Sequence, residues 1–164
     1  MLSDAPVKVG VVSLLRVARS GLRALALASL LVSATAAFSA TAATLRITHD
    51  DGGNIGQYWA RYMAVKDSGE DVAIDGVCAS ACTMVLGIVP HDRICVTRNA
   101  ELGFHAAWRP GFLGFHETNA TATRALWSFY PNPVRQWIIR NGGLGPEMLY
   151  LSGPELLAMY RECR

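Results

Sequence analysis

Segments with the hydrophobic pattern of strands alternate with helix-like segments along most of this 164-residue chain, and this alternation restricts the fold more than any other feature. Apolar and polar side chains alternate over 44–49, which is typical of a half-buried strand. Apolar residues recur at helical spacing over 54–67, where Asn54 is a suitable N-cap, and 71–77 predicts a second strand. Because strands that alternate with helices favour βαβ units, the sequence predicts an α/β fold in which helices flank a parallel sheet.

The other predicted elements are shorter. In chain order they are a buried helix at 80–89, strands at 93–97 and 101–105, a loop at 110–123, and helices at 125–130 and 134–140. Ser152 and Glu155 have the spacing of a capping box, which predicts a last helix that runs to Tyr160.

Residues 1–42 have the pattern of an export signal. Basic residues end at Arg23, an apolar run fills 24–38, and a small-x-small pattern ends at Ala42. This is the order of a basic region, an apolar region and a cleavage site in a secretory signal.

An uncleaved membrane anchor is the alternative, because 24–45 is uncharged and about long enough to span a bilayer. We therefore expect residues 43–164 to form one domain that is exported to the periplasm or cell envelope. Contact with the membrane is expected only if the N-terminal segment is not cleaved.

The composition excludes two broad classes of protein. Apolar residues make up 51% of the chain and charged residues 17%, which excludes a disordered polymer. From Ala43 onward there are 11 Lys and Arg against 12 Asp and Glu, a net charge of −1. Since nucleic-acid binding needs a dense basic patch, no nucleic-acid partner is expected.

The domain has an even number of cysteines, namely Cys78, Cys82, Cys95 and Cys163. In an exported domain this predicts two disulfides, with all three pairings open. Free buried thiols are one alternative. A zinc site is another, because Cys78 and Cys82 can supply two thiolates, but no second pair has a short spacing. We expect no metal ion and no cofactor.

Ser80 lies at the predicted junction of strand 71–77 and helix 80–89, between two small residues. Such a junction exposes a hydroxyl at the end of a sheet and directs the first amides of the helix to the same point. Ser80 is therefore a candidate nucleophile, and the amide of Ala81 is a candidate oxyanion donor. The alternative is that Ser80 only caps the helix.

Two further features can belong to the same site. Gly52 and Gly53 follow the first strand, and glycine lets a backbone amide approach a ligand closely. His105 ends a later strand, 25 residues after Ser80, and a neutral imidazole is the usual general base for a serine. Because parallel strands end side by side, these segments are expected to meet.

This order of a Gly-Gly turn, a serine between small residues and a histidine resembles the proteolytic subunit of the Clp protease, within the ClpP/crotonase superfamily. The resemblance covers about 47–108, and 150–156 is similar to the family's closing motif. It implies a ClpP/crotonase-like fold with Ser80 as the nucleophile and His105 as the general base. It also implies that Gly53 and Ala81 form the oxyanion hole.

The sequence departs from that family in three ways. Met148 stands where the family has its catalytic Asp, so the adjacent Glu147 is the candidate third residue, with Glu117 and Asp92 as weaker ones. The chain after His105 is not similar to the family's helical handle, so a homo-oligomer is left open. Export separates the protein from cytosolic ATP, so the expected activity is independent of ATP.

The remaining histidines and the tryptophans have simpler explanations. His116 repeats the Gly-Phe-His pattern of His105 and is a second candidate base or half of a metal site, but a solvated loop histidine is the plainer interpretation. His49 is expected to end a strand and His91 to lie in a turn. Core or interface packing is expected for Trp59, Trp108, Trp127 and Trp137.

The expected function is that of an exported serine hydrolase that cleaves a peptide or protein substrate. A non-catalytic binding module of the same fold in the cell envelope is the alternative, because the aligned Asp is missing. Use of the oxyanion hole on an acyl thioester is a third possibility, against which export argues.

Overall fold

A six-stranded mixed sheet organises residues 43–164, the part of the chain that the structure, a computed structural model, describes. Its strands are β1 (Thr44–Asp50), β2 (Asp71–Ala79), β3 (Ile94–Val96), β4 (Glu101–Phe104), β7 (Leu149–Ser152) and β8 (Arg161–Glu162). A separate hairpin contains β5 (Trp108–Pro110) and β6 (His116–Thr118). The export signal predicted for 1–42 lies outside the described residues.

Five α-helices accompany the strands in this part of the chain: α1 (Ile55–Ser68), α2 (Val85–Ile88), α3 (Ala120–Phe129), α4 (Asn132–Arg140) and α5 (Gly153–Leu157). Short 3-10 turns occur at Ser80–Met84, His91–Arg93 and Phe112–Gly114. The α/β class predicted from the sequence is confirmed. Among residues 43–164, no helix combines the length and apolarity that a bilayer crossing requires.

Strand β2 is the centre of the sheet. It pairs in parallel with β1 along one edge, and with β3 and then β4 along the other. Strand β8 adds to β3 in parallel, whereas β7 runs antiparallel to β4. The sheet is thus mixed rather than wholly parallel. The amide of Ala106, just after β4, donates to the carbonyl of Gly145 at 2.6 Å, so the chain enters β7 from the end where β4 stops.

Helix α1 confirms the helix predicted over 54–67. The Asn54 side chain accepts a hydrogen bond from the amide of Gln57 at 3.2 Å and so caps the first turn. Gly69 ends the helix with a φ of 78°, which glycine adopts without steric cost. Tyr62 and Val65 are buried on the inner face of the helix. The parallel unit β1–α1–β2 is therefore the predicted βαβ unit.

The core lies between the apolar central strands and helices α1 to α4. Its fully buried residues include Val72, Ile74, Ile94, Leu102, Phe104, Val134 and Ile138. The predicted helix at 80–89 is present as the 3-10 turn at Ser80–Met84, followed by α2. Helices α2 and α3 approach closely at Gly87, where an added Cβ atom would lie 1.6 Å from the carbonyl oxygen of Phe129.

Two local predictions are wrong. The segment 110–123 is not a loop, because it contains most of the β5–β6 hairpin and the first turn of α3, where Asn119 caps the amide of Ala122 at 3.0 Å. Ser152 makes no capping bond from its side chain. The predicted capping box fails because Glu155 instead accepts a hydrogen bond from the indole nitrogen of Trp137 at 3.0 Å.

The four cysteines form two disulfides, as predicted, and the structure selects the pairing. Cys78 is joined to Cys82, and Cys95 to Cys163. The first bond spans only four residues and encloses Ser80. The second closes a separation of 68 residues and ties β3 to the chain just after β8.

We expect Gly87→Ala to lower the free energy of unfolding by about 1–3 kcal/mol, the usual cost of overpacking a filled site. The added methyl group would collide with the Phe129 carbonyl and force α2 away from α3. Urea unfolding followed by circular dichroism measures the change. Gly145→Ala is the matched control, because no atom lies within 4 Å of its added Cβ. Equal stability of the two variants would contradict the close packing at Gly87.

Candidate active site

Ser80 has a backbone conformation that is unusual for a residue with a side chain. Strand β2 ends at Ala79, and Ser80 then turns the chain into the 3-10 segment with a φ of 56°. A non-glycine residue in this left-handed region costs on the order of 1 kcal/mol or more, and such residues cluster at functional sites. The surroundings of Ser80 must therefore hold the turn.

Covalent and hydrogen-bonded contacts hold this turn from within. The Cys78–Cys82 disulfide joins the residues on both sides of Ser80. The Thr83 hydroxyl donates to the Ser80 carbonyl at 2.6 Å and lies 3.0 Å from the hydroxyl of Tyr130. Burial raises the pKa of Tyr130 to about 12, so this phenol stays protonated at neutral pH.

The glycine loop after β1 packs directly on the same turn. At Gly52 a Cβ atom would lie 2.5 Å from the carbonyl oxygen of Ala79 and 2.8 Å from the amide nitrogen of Ala81. Gly52 also has a φ of 84°, so a side chain is excluded on both counts. Glycine at this position thus lets the loop and the Ser80 turn touch.

Strand register explains why these segments meet. Asp50 at the end of β1 pairs with Cys78, and Ala79 at the end of β2 pairs with Gly103 in β4. The three parallel strands therefore end at nearly the same level. The residues that follow these ends are the glycine loop, Ser80 and His105.

A cleft of about 820 Å³ opens at this edge of the sheet. Three of the predicted site residues line it together: Gly53, Ser80 and His105. The cleft also contains apolar side chains, including Ile55, Leu126 and Met148. Ala81 is fully buried and is not among the lining residues. Polar side chains line it as well, namely Asp51, Asn54, Ser80, His105 and His116. Polar groups that converge in a cleft with apolar walls are typical of a small-ligand or active site.

His105 is buried, with only 8% of its surface exposed. Burial lowers the pKa of its imidazole below the ordinary value, and a backbone hydrogen bond with Ala106 opposes this effect. The ring is therefore neutral at pH 7 and can accept a proton. Among residues 43–164, no acidic side chain hydrogen-bonds to His105, and none of the hydrogen bonds joins it to Ser80.

The structure leaves the candidate third residue outside the cleft. Glu147 is exposed and does not line the cleft, whereas the neighbouring Met148 does. Glu117 pairs with Arg109 at 3.3 Å across the β5–β6 hairpin, and Asp92 lies on the 3-10 turn at His91–Arg93 away from the cleft lining. The arrangement therefore contains a serine and a neutral histidine but no carboxylate oriented on that histidine.

The β5–β6 hairpin forms a wall of the cleft that sequence analysis missed. It contributes Trp108, Pro110 and His116 to the lining. The Trp108 ring stacks on the His116 ring with centroids 3.6 Å apart and planes 13° from parallel. Trp108 is 48% exposed, so it does not pack in the core. The repeated Gly-Phe-His pattern was the one sequence signal that pointed to His116.

The two other histidines do not line the cleft. His49 is exposed, and its Nε2 lies 3.2 Å from a carboxylate oxygen of Asp51. His91 packs against the ring of Tyr160 with centroids 4.7 Å apart. Within residues 43–164, no group of three or more His, Cys, Asp or Glu side chains is arranged to hold a metal ion.

Comparison with models of known protein families and with curated proteins found no match to this chain. The chemistry of the cleft therefore has to be inferred from its own residues.

Proposed function

We propose that the protein is an exported, ATP-independent serine hydrolase of the ClpP/crotonase type that cleaves peptides, with Ser80 as the nucleophile and His105 as the general base. One observation carries the proposal. A serine in a left-handed turn at the end of a central strand lies in the same cleft as a buried, neutral histidine. The strand order around β2 and the two disulfides support the fold type and the export.

The proposed reaction begins when the Ser80 oxygen attacks the carbonyl carbon of a peptide bond and His105 takes the hydroxyl proton. A tetrahedral intermediate forms, with negative charge on the former carbonyl oxygen. His105 then gives the proton to the leaving amine, and an acyl ester remains on Ser80. Water repeats the sequence and releases the acid, with His105 again acting as base and then acid.

Backbone amides would stabilise the negative charge of this intermediate. Gly53 lines the cleft, and the Gly52 contact keeps its loop against the amide nitrogen of Ala81. In this proposal the amide of Gly53, which lines the cleft, donates to the oxyanion. The sequence also predicts the Ala81 amide as a donor, but Ala81 is buried, does not line the cleft and is covered by the glycine loop, so this role is not assigned to it. Each such donor typically contributes about 3 kcal/mol of transition-state stabilisation.

A non-catalytic binding module is the second candidate, and the surroundings of His105 favour it. Within residues 43–164 no carboxylate hydrogen-bonds to the imidazole, and Met148, at the position of the family's catalytic Asp, lines the cleft instead. A third group stabilises the imidazolium that forms during the reaction, and a site that lacks it is less active. In a binding module the cleft would hold a peptide segment without cleaving it.

We expect a fluorophosphonate probe to label Ser80 and Ser80→Ala to abolish that labelling. The Ser80 oxygen would bond to phosphorus, fluoride would leave, and His105 would take the proton. Peptide mapping by mass spectrometry locates the adduct. Ser152→Ala is the matched control, because Ser152 is exposed and does not line the cleft. A wild-type protein that remains unlabelled would favour the binding module.

The labelling rate should rise with pH as His105 loses its proton, with a midpoint below the ordinary imidazole pKa of about 6.5. Burial destabilises the charged ring, so the base stays deprotonated at a lower pH than a solvated histidine would. Rates measured between about pH 4 and pH 8 give the midpoint. His105→Gln should reduce the rate about 100-fold or more and remove the pH dependence. A midpoint at or above the ordinary value would contradict the role of burial.

A further inference from the structure

Asp50, the last residue of β1, receives hydrogen bonds from three groups. The amide of Gly52 donates to its Oδ1 at 3.0 Å, and the hydroxyl of Tyr58 donates to the same oxygen. The guanidinium of Arg61 donates to Oδ2 at 3.0 Å. The carboxylate is only 13% exposed, so solvent screens these interactions weakly.

These bonds connect the glycine loop to a rigid element. Tyr58 and Arg61 are three residues apart on α1 and therefore lie on one face of that helix. The Arg61 guanidinium carbon lies 5.8 Å from the centre of the Tyr58 ring and 5.7 Å from that of the Tyr62 ring. Helix, carboxylate and loop thus form one packed unit beside the cleft.

The position of Gly52 determines where the next amide points. Its own amide donates to Asp50, and it packs so closely on the Ser80 turn that an added Cβ atom would not fit. With Gly52 held on both sides, the peptide that joins it to Gly53 has a fixed orientation. The Gly53 amide belongs to that peptide, and Gly53 lines the cleft.

We infer that Asp50 is a positioning residue that acts through Gly52 to direct the Gly53 amide at the oxyanion, an inference that rests on the proposed hydrolase function. Asp50 does not itself line the cleft. It makes the oxyanion donor rigid before substrate binds, so that less reorganisation is needed when charge develops.

Asp75 provides a matched control for this inference. Its carboxylate also receives several hydrogen bonds, from Thr97 at 2.6 Å, from Asn99 at 3.3 Å and from Arg46. It does not line the cleft. Asp50→Asn and Asp75→Asn therefore remove the same charge from similar surroundings, and only the first touches the glycine loop.

The experiment measures fluorophosphonate labelling of Ser80 over a range of probe concentrations, which separates the limiting rate of reaction from the probe concentration at half-maximal rate. Because the phosphoryl oxygen gains negative charge in this reaction, the limiting rate reports on the oxyanion donors. We expect Asp50→Asn to lower the limiting rate about 10- to 100-fold and to leave the half-maximal concentration and the pH midpoint unchanged. Asp75→Asn should leave all three unchanged, even where it lowers stability.

Tyr58→Phe removes one of the three hydrogen bonds and should lower the limiting rate by a smaller factor. If Asp50→Asn does not fold, Tyr58→Phe tests the positioning role of Asp50 instead. An unchanged limiting rate in Tyr58→Phe would then overturn the inference.

The two proposals fail in different ways. If wild-type protein is not labelled at Ser80, the hydrolase function fails and the role of Asp50 fails with it. If wild type is labelled but Asp50→Asn reacts at the wild-type limiting rate, or no more slowly than Asp75→Asn, only the role of Asp50 is overturned. A shifted pH midpoint in Asp50→Asn would also overturn it, since that result would mean that the base had been disturbed instead.

Discussion

The left-handed turn at Ser80 is the constraint on which the arrangement of the cleft depends. A serine does not adopt this conformation without support, and four separate features supply that support. Pairing of β2 on both edges fixes the approach, and the Cys78–Cys82 disulfide spans the turn. The Thr83 hydroxyl donates to the Ser80 carbonyl, and Gly52 packs against the backbone of the turn. The disulfide and Thr83 are local to the turn, whereas the strand pairing and Gly52 come from other segments, so the full set of supports requires β1, β2 and β4 to be assembled.

The residues nearest Ser80 in space could be predicted because their signals are local. Helix α1 has clear helical spacing and a cap, and β1 has strict alternation. Two parallel strands joined by a helix must end at the same side of a sheet, so the glycine loop and Ser80 were expected to meet. His105 follows the same rule, since β4 pairs in parallel with β2. The sequence was therefore sufficient to predict the class of fold and the grouping of Gly53, Ser80 and His105.

Other features depend on distant contacts that leave no local signal. The strands β5 and β6 have three residues each, too few to show alternation, and they exist because they pair with each other. The direction of β7 follows from the Ala106–Gly145 hydrogen bond, which joins segments far apart in the chain. Glu155 matched a capping pattern but binds Trp137. No local signal marks Asp50, because its hydrogen bonds to Tyr58 and Arg61 depend on a helix that begins after the glycine loop.

The surroundings of His105 favour one part of the proposed reaction, proton acceptance, and oppose another, the positive charge that the ring then carries. Burial keeps the imidazole neutral, so it can accept a proton, but the same burial opposes the positive charge that the ring gains when it does so. In a triad a carboxylate offsets that cost. Within residues 43–164 the one acidic residue that lines the cleft is Asp51, and its carboxylate lies 3.2 Å from His49 Nε2 rather than on His105. In the proposed reaction, stabilisation of the transition state would then come mainly from the backbone amides that donate to the oxyanion. If the protein is the proposed hydrolase, the rigidity of the Gly52–Gly53 loop would matter more to this cleft than to one with a complete triad, and the hydrogen bonds of Asp50 to Gly52 and Arg61 act on that loop.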